Sequence, residues 1–316
     1  MSILLNNNGY DNQTWYEQLT MLLPEKTVYR YDQLSSVDMV ADEIEYAVIW
    51  NHPAGDLQCY PNLKGILLLG AGTEHIDQDL TVPDLPIVRL VDPEVLKDMA
   101  LYTLYWVMNL HRQYDTYREQ QSQRVWQRHD ICAPQDYKVT VLGLGAVGKE
   151  VANRLQLNGF NVSGWDRFEQ QLDGVTCYAG PDQLGASLQS TDVLVNCLPV
   201  TPDTIGFIDS TLLNQLPQSA ALINISRGDV IRDVDLLAAL DRGQLSHAVL
   251  DAFSIEPLPE YSRFWRHPNV TVTPHMSGAT YARSAARLIA DNILRIENGE
   301  EPFPLHQHPA RIAASA

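Results

Sequence analysis

Apolar and polar positions follow two periods along this chain, and the switch between them recurs. From Tyr137 to Pro274, the runs Lys138–Leu142, Asn161–Trp165, Asp192–Leu198, Ala221–Ile225, His247–Ala252 and Val270–Thr273 read as strands. Between them, Gly145–Leu157, Pro181–Leu188, Ser210–Leu216 and Asp233–Leu240 carry apolar residues at helical spacing. Pro181 and Asp233 suit helix starts, and Gly243 suits a stop. Such alternation predicts a parallel sheet covered by helices on both faces, an α/β fold. Upstream, Tyr46–Trp50 and Ile66–Leu69 read as buried strands of a smaller α/β region. Lys97–Tyr117 reads as one long amphipathic helix, and the polar run Arg112–Asp136 as a loop or arm. A last helix is expected over Tyr281–Asn298, stopped at Gly299 and followed by a loose tail.

This order predicts two Rossmann-like domains. A doubly wound, parallel-sheet domain at 98–281 is inserted into a smaller, flavodoxin-like domain made of 1–97 and 282–316. At 316 residues, 45% of them hydrophobic, the chain is long enough for both cores. Hinges are expected near Leu96–Lys97 and Gly278–Ala282.

Composition narrows the partners. The longest apolar runs, such as Ile66–Leu69, are too short to span a bilayer, and the first residues lack a basic, then apolar, leader pattern. Cys59, Cys132, Cys177 and Cys197 form no CxxC pair, and His52, His75, His111 and His129 show no tight ligand spacing. Reduced thiols, no metal and a cytoplasmic location are expected. The formal net charge of −17 repels nucleic acid and anionic membranes. It also repels small anions, so an acid substrate needs a local cation.

The run VTVLGLGAVGKEVANRL places Gly143, Gly145 and Gly148 in GxGxxG spacing between a strand and a helix. The first glycine allows a tight turn, the second lets a pyrophosphate approach the backbone, and the third lets helix and strand pack closely. Free N–H groups at the helix start favour phosphate. Asp166 ends the next strand, where a carboxylate can hold ribose hydroxyls. A carboxylate there binds the free 2′-hydroxyl of NAD and repels the 2′-phosphate of NADP. The adjacent Arg167 can pair with a phosphate or remain a solvated charge, so NAD(H) is favoured and NADP(H) stays open.

Three further segments follow strands: NISRGDV with Arg227, DAFSIEPLP with Glu256 and VTPHMSGAT with His275. Ligands in open α/β sheets bind beyond the carboxyl ends of strands, which places all three on the expected side. Reducing a 2-oxo acid needs a cation that holds the carboxylate and polarises the carbonyl, and arginine's planar fork does both. The reaction also needs a proton donor that works near neutral pH. Histidine fits, and a neighbouring carboxylate favours its charged form. Singly, each residue has an ordinary structural explanation; in this order on this fold, they form a catalytic set.

The segments LGLGAVGKEVA, LVNCLPVTPDTIGFID, LINISRGDVIRDVDLLAALDRGQL, AVLDAFSIEPLP and HPNVTVTPHMSGAT resemble the motifs of the D-isomer-specific 2-hydroxyacid dehydrogenases, in that family's order. WRHPNVTVTPH, EYAVIWNHP and LLLGAGTEHID resemble its glyoxylate/hydroxypyruvate reductase A group. The resemblance implies that Arg227 binds substrate, His275 is the acid/base and Glu256 tunes it. It extends the cofactor surface over Gly143, Gly145, Ala146, Val147, Gly148, Asp166, Arg167, Leu198, Pro199, Ser226, Asp251 and His275. Asp251 would hold the nicotinamide carboxamide and Pro199 would lie along the cofactor. Leu69, Gly70, Ala71 and Gly72 would offer N–H groups to the substrate carboxylate, and Trp50 would line the entrance. A glycine turn opening a helix makes such an anion nest physically reasonable. Met99 and Trp126 stand where the group has residues near its site, and a homodimer contact through Tyr102–Trp106 is implied. Lys97-Asp98, before Met99, depart from the group's glutamate, and the WDR at Trp165–Arg167 departs from its NADPH-associated stretch. A reductase for a larger 2-oxo acid such as phenylpyruvate and an NAD(H)-sensing, corepressor-like binding protein remain the alternatives.

Overall fold

A computed structural model of the chain describes residues 2–36 and 40–309. It divides into two compact units, Met1–Val95 with Thr280–Ala316, and Leu96–Ala279.

The first unit begins with β1 (Ser2–Asn7), α1 (Gln13–Leu22), β2 (Thr27–Arg30), β3 (Ile44–Trp50), β4 (Gly65–Leu68), the single turn α2 (Glu74–Asp77) and β5 (Ile87–Val88). Next come the long helix α3 (Pro93–Arg112) and α4 (Tyr114–Gln123). The second unit continues with β6 (Lys138–Leu142), α5 (Ala146–Leu157), β7 (Asn161–Asp166), β8 (Thr176–Ala179), α6 (Gly180–Leu188) and β9 (Val193–Asn196). After these stand α7 (Ser210–Leu213), β10 (Ala221–Asn224), α8 (Asp233–Asp241), β11 (His247–Leu250) and β12 (Val270–Val272). The chain then returns to the first unit with α9 (Ala282–Glu297) and β13 (Leu305–His306).

The first unit's sheet has the order β13-β5-β4-β3-β1-β2, with β1 to β5 pairing in parallel and β13 antiparallel. That parallel order, 2-1-3-4-5, is the flavodoxin-like one. Strand geometry sends successive side chains to opposite faces. Ile3 and Leu5 therefore join a core with Trp15, Leu19 and the α9 residues Ala285, Ile289 and Ile293, whereas Leu4 joins Ile49, Ile66 and Leu68 on the other face.

In the second unit, seven parallel strands run β12-β11-β10-β9-β6-β7-β8. Strand order reverses at β6, so β6 and β9 flank the topological switch point, where open α/β sheets bind their ligands. Its two faces are again separate cores. One gathers Leu142, Leu194, Leu222 and Leu250, and the other Val141, Val195, Ile223 and Val249 with Ala100 and Val107 of α3. No helix of the described residues is long and apolar enough to cross a membrane.

Three readings need correction. Helix α3 starts at Pro93, earlier than expected, because proline suits a first helical position and the Asp92 carboxylate accepts the Glu94 N–H at 2.9 Å. It ends at Arg112, since Gln113 takes a left-handed φ of 55°. The expected loop over Arg112–Asp136 contains α4, a helix without buried residues, whose polar sequence carries no apolar stripe. The tail after α9 is not loose up to residue 309. Leu305 and His306 pair with β5, His306 reaches Asp77 at 2.6 Å, and Asn292 exchanges two hydrogen bonds with the Phe303 backbone. The rest of that tail, 310–316, lies outside the described residues.

Candidate active site

The glycine turn sits at the switch point. Gly143 has φ +86°, and a Cβ there would come within 3.1 Å of the Cys197–Leu198 peptide at the end of β9. At Gly148 a Cβ would stand 1.8 Å from the Gly143 carbonyl oxygen, so only glycine lets α5 start this close to β6. Gly145 is different: a Cβ would meet nothing within 4 Å among the described residues, and Gly145 and Ala146 are exposed while Val147 is half-buried. The turn therefore offers an open backbone surface at the start of a twelve-residue helix. Asp166 is fixed beside it. Its carboxylate accepts the Leu144 N–H at 2.7 Å and the Phe168 N–H at 3.2 Å. Arg167 points to solvent and pairs with the exposed Asp203 at 2.5 Å. These groups fit a dinucleotide's pyrophosphate and ribose.

Two buried asparagines brace the neighbouring strand ends, and sequence reading passed over both. Asn196 ends β9 and donates to the Asn224 side chain at 2.9 Å, while its own oxygen accepts the Leu198 N–H at 3.2 Å. Asn224 ends β10, donates to the carbonyls of Arg227 and Ala252, and accepts the Ser226 N–H. Ser226 in turn donates its hydroxyl to the Leu198 carbonyl. One polar hub thus ties the loops after β9, β10 and β11. The only signal in the sequence is an amide side chain closing two apolar runs, LVN and LIN.

On that hub the loops bearing Arg227 and Glu256 are pressed together. A Cβ at Gly228 would fall 2.1 Å from the Phe253 carbonyl carbon. Glu256 accepts the Phe253 N–H at 2.8 Å through one oxygen and meets His275 Nδ1 at 2.8 Å through the other. Burial alone would raise the Glu256 carboxyl. The His275 hydrogen bond, the Phe253 N–H and the charges of His275 and Arg227 outweigh it and hold the group below the usual carboxylate range. Both members of the pair are partly exposed. His275 itself has φ 51°, a left-handed conformation uncommon for a side-chain-bearing residue. Its N–H donates to the Asp251 carbonyl at 2.8 Å.

Asp251 is fully buried and faces the same loop. Its carboxylate accepts the Thr273 hydroxyl at 2.5 Å, the Met276 N–H at 2.9 Å and the Ser277 N–H at 2.8 Å. A carboxylate has about four acceptor positions, so about one remains for another donor. Leu198 is buried, and Pro199 is exposed beside it, its carbonyl accepting from Thr204. The second unit therefore gathers a glycine turn with an open backbone surface, a fixed carboxylate beside it and a linked Glu–His pair with an arginine within electrostatic reach of the glutamate.

A family model described as the D-isomer specific 2-hydroxyacid dehydrogenase NAD binding domain matches residues 104–277. The chain belongs to this family. As a D-2-hydroxyacid dehydrogenase it is 37% identical to a glyoxylate/hydroxypyruvate reductase A of Serratia proteamaculans (strain 568), over 96% of this chain and 97% of the relative. It is 36% identical to a glyoxylate/hydroxypyruvate reductase A of Yersinia enterocolitica, over 96% and 98%. Among solved structures, a D-isomer specific 2-hydroxyacid dehydrogenase from Xanthobacter autotrophicus Py2 in complex with NADPH and MES matches with a TM-score of 0.91, 34% identity and 98% of each chain covered. An NADPH-dependent glyoxylate/hydroxypyruvate reductase from Sinorhizobium meliloti, in complex with NADP and sulfate, matches with a TM-score of 0.91, 30% identity and 98% of each chain.

In the dehydrogenase's first unit, Trp50 lies so close over Gly70 that a Cβ there would stand 2.4 Å from its ring. His75 packs on the same indole at 4.4 Å between ring centres. Leu69 is buried, and the N–H groups of Gly70, Ala71 and Gly72 donate to no acceptor among the described residues. The expected helix behind this turn is only the four-residue α2, with Glu74 and Asp77 in its first turn. Any anion held here is held by loop amides, not by a helix dipole. Met99 packs into the second unit's core, while Trp126 is fully exposed. Tyr102 and Trp106 also pack against that core, which leaves Leu101, Tyr105 and Met108 as the exposed apolar residues of α3.

Proposed function

We propose that this dehydrogenase reduces a small 2-oxo acid of the glyoxylate or hydroxypyruvate type to the D-2-hydroxy acid, with NADH as the preferred reductant. The observation that carries the reading is the His275 Nδ1–Glu256 contact at 2.8 Å, with Arg227 acting on the same glutamate. With Nδ1 facing Glu256, the Nε2 proton of His275 is the one available to a substrate oxygen. Glu256 stabilises the charged imidazole before it gives that proton up. Arg227 holds the substrate carboxylate and polarises the adjacent carbonyl, where negative charge develops. The bound nicotinamide supplies the hydride. Gly143 to Gly148 hold the pyrophosphate, Asp166 the ribose hydroxyls, and the remaining acceptor position of Asp251 the carboxamide. Leu198, Pro199 and Ser226 border the cofactor. In the first unit taken by itself, the amides of Gly70, Ala71 and Gly72 beside Trp50 suit an anion.

NADH is preferred because a fixed carboxylate at Asp166 repels a 2′-phosphate, and Arg167 is already shared with Asp203. Two similar structures contain NADPH or NADP, so both reductants are compared in the test. Loss of reduced-nicotinamide absorbance is followed for NADH and NADPH against glyoxylate, hydroxypyruvate, pyruvate and phenylpyruvate. Fastest turnover with NADH and either of the first two supports the reading. Fastest turnover with phenylpyruvate or with NADPH overturns the corresponding half of it, and cofactor binding without any turnover favours a sensor. Leu101, Tyr105 and Met108 suit contact with a second copy of the chain, and a monomer mass by light scattering would reject that homodimer.

A further inference from the structure

Helix α3 touches the His275-bearing segment at two points. Asp98 accepts the Ala279 N–H at 2.8 Å, and Tyr102, four residues on and therefore on the same helix face, meets the Thr273 hydroxyl at 2.6 Å. Thr273 gives its single proton to Asp251, so the Tyr102 O–H must donate to the Thr273 oxygen. Burial pushes the Tyr102 phenol up to about 12, which keeps that proton in place at any working pH. From Asp251 the chain of bonds runs on to the N–H groups of Met276 and Ser277, on either side of which the backbone is otherwise loop. His275 lies between these anchors in its left-handed conformation. A residue with a Cβ persists there only when its surroundings over-determine it.

We infer that Asp98, Tyr102 and Thr273 are positioning residues that clamp the 273–279 segment from α3 and so hold His275 in its reactive orientation. None of the three is proposed to touch substrate or cofactor. The departure from the group's pattern at Lys97-Asp98 is explained on this view: an aspartate at 98 is short enough to receive the Ala279 N–H directly.

The inference rests on the reading of His275 as proton donor, and its test separates the two. Tyr102→Phe, Thr273→Val and Thr273→Ser are made in the full chain. Amide hydrogen exchange at Met276 and Ser277, turnover of glyoxylate with NADH, and the solvent isotope effect on kcat are then measured. The phenylalanine and valine variants should speed exchange at both amides by about tenfold and lower kcat by about three- to tenfold. The acid's KM and the NADH dissociation constant should stay near wild type, and the solvent isotope effect should grow as proton donation becomes slower. Thr273→Ser, which keeps the hydroxyl, should restore all of these. Retained NADH binding shows that the variants fold. Unchanged exchange at Met276 and Ser277 overturns the clamp, as does a higher KM with unchanged kcat. A wild-type protein that reduces no 2-oxo acid overturns the proposed function alone, because exchange still decides the clamp.

Discussion

Gly228 and Ser254 approach so closely that a Cβ at position 228 would stand 2.0 Å from the Ser254 nitrogen. Nothing about the φ angle demands glycine at this position; the demand is spatial. Gly228→Ala should force the Arg227 loop away from the Glu256 loop. The cost is about 1–3 kcal/mol of stability, as for other overpacked sites, and kcat/KM should fall at least tenfold. Thermal unfolding and steady-state kinetics check this, and a variant with wild-type kcat/KM would show that the approach is dispensable.

His275→Ala should retain NADH binding and lose about 100- to 10,000-fold in kcat, since it removes the proposed proton donor and leaves the glycine turn untouched. Titration by fluorescence beside single-turnover kinetics distinguishes the two effects. Turnover within a few-fold of wild type would reject the role.

Arg227→Lys keeps the charge but not the planar fork. A lysine cannot grip a carboxylate and its neighbouring carbonyl together, so kcat/KM for the 2-oxo acid should drop on the order of tenfold to a hundredfold. Substrate-saturation curves test it, and a lysine variant with unaltered KM and kcat would argue against two-point binding.

The Glu256–His275 pair carries a pH dependence with a definite sign. Glu256 is held below its ordinary range, so its contribution is present above the unfolded carboxylate value of about 4.3 and is lost as pH falls through the depressed folded value. The pair is partly exposed, which keeps its share of stability small, so activity is the better readout. Glu256→Gln removes the group that titrates on the acid side, so the loss of activity as pH falls through the depressed Glu256 value should disappear. A profile superimposable on wild type would disconnect the two residues.

Asp166→Ser should raise kcat/KM with NADPH relative to NADH by about tenfold, the effect of removing one like charge worth roughly 1.4 kcal/mol. Parallel assays with the two reductants suffice. No change in the ratio would mean that other groups set cofactor choice.

The sequence made the second unit legible because its central strands are continuous apolar runs bounded by turn residues: β6, β7, β9, β10, β11 and β12 each start at or within a residue of the expected position and end within two residues of it. The edge strand β8 escaped because its side chains are half-exposed and carry no such run. In the first unit β1 escaped although all six residues are buried: SILLNN ends in polar asparagines, and their burial depends on tertiary partners such as the Asn12 side chain and His52. For the candidate site, the glycines, Arg227, Glu256 and His275 could be singled out as candidates by residue type and order. The Asn196–Asn224 hub did not, because an amide at a strand end acquires meaning only when the neighbouring strand brings its mate to 2.9 Å. The tail was misread for a related reason, since β13 forms by pairing with a two-residue strand more than two hundred positions earlier.

The first unit takes its core from both ends of the chain. Ile3, Leu5, Trp15 and Leu19 pack against Ala285, Ile289 and Ile293 of α9, with the whole second unit encoded between them. A ribosome delivers residues in order, at about 5–20 per second. The middle of the chain can thus finish folding while the N-terminal segment still waits for its last helix. For roughly ten seconds or more at that rate, Ile3 and its neighbours lack the cover α9 provides. A stop codon placed before Ala282 would spare Arg227, Glu256 and His275 and still strip α9 from the face that carries Ile3 and Leu5, a half-built protein with its candidate site residues all present and an adhesive surface.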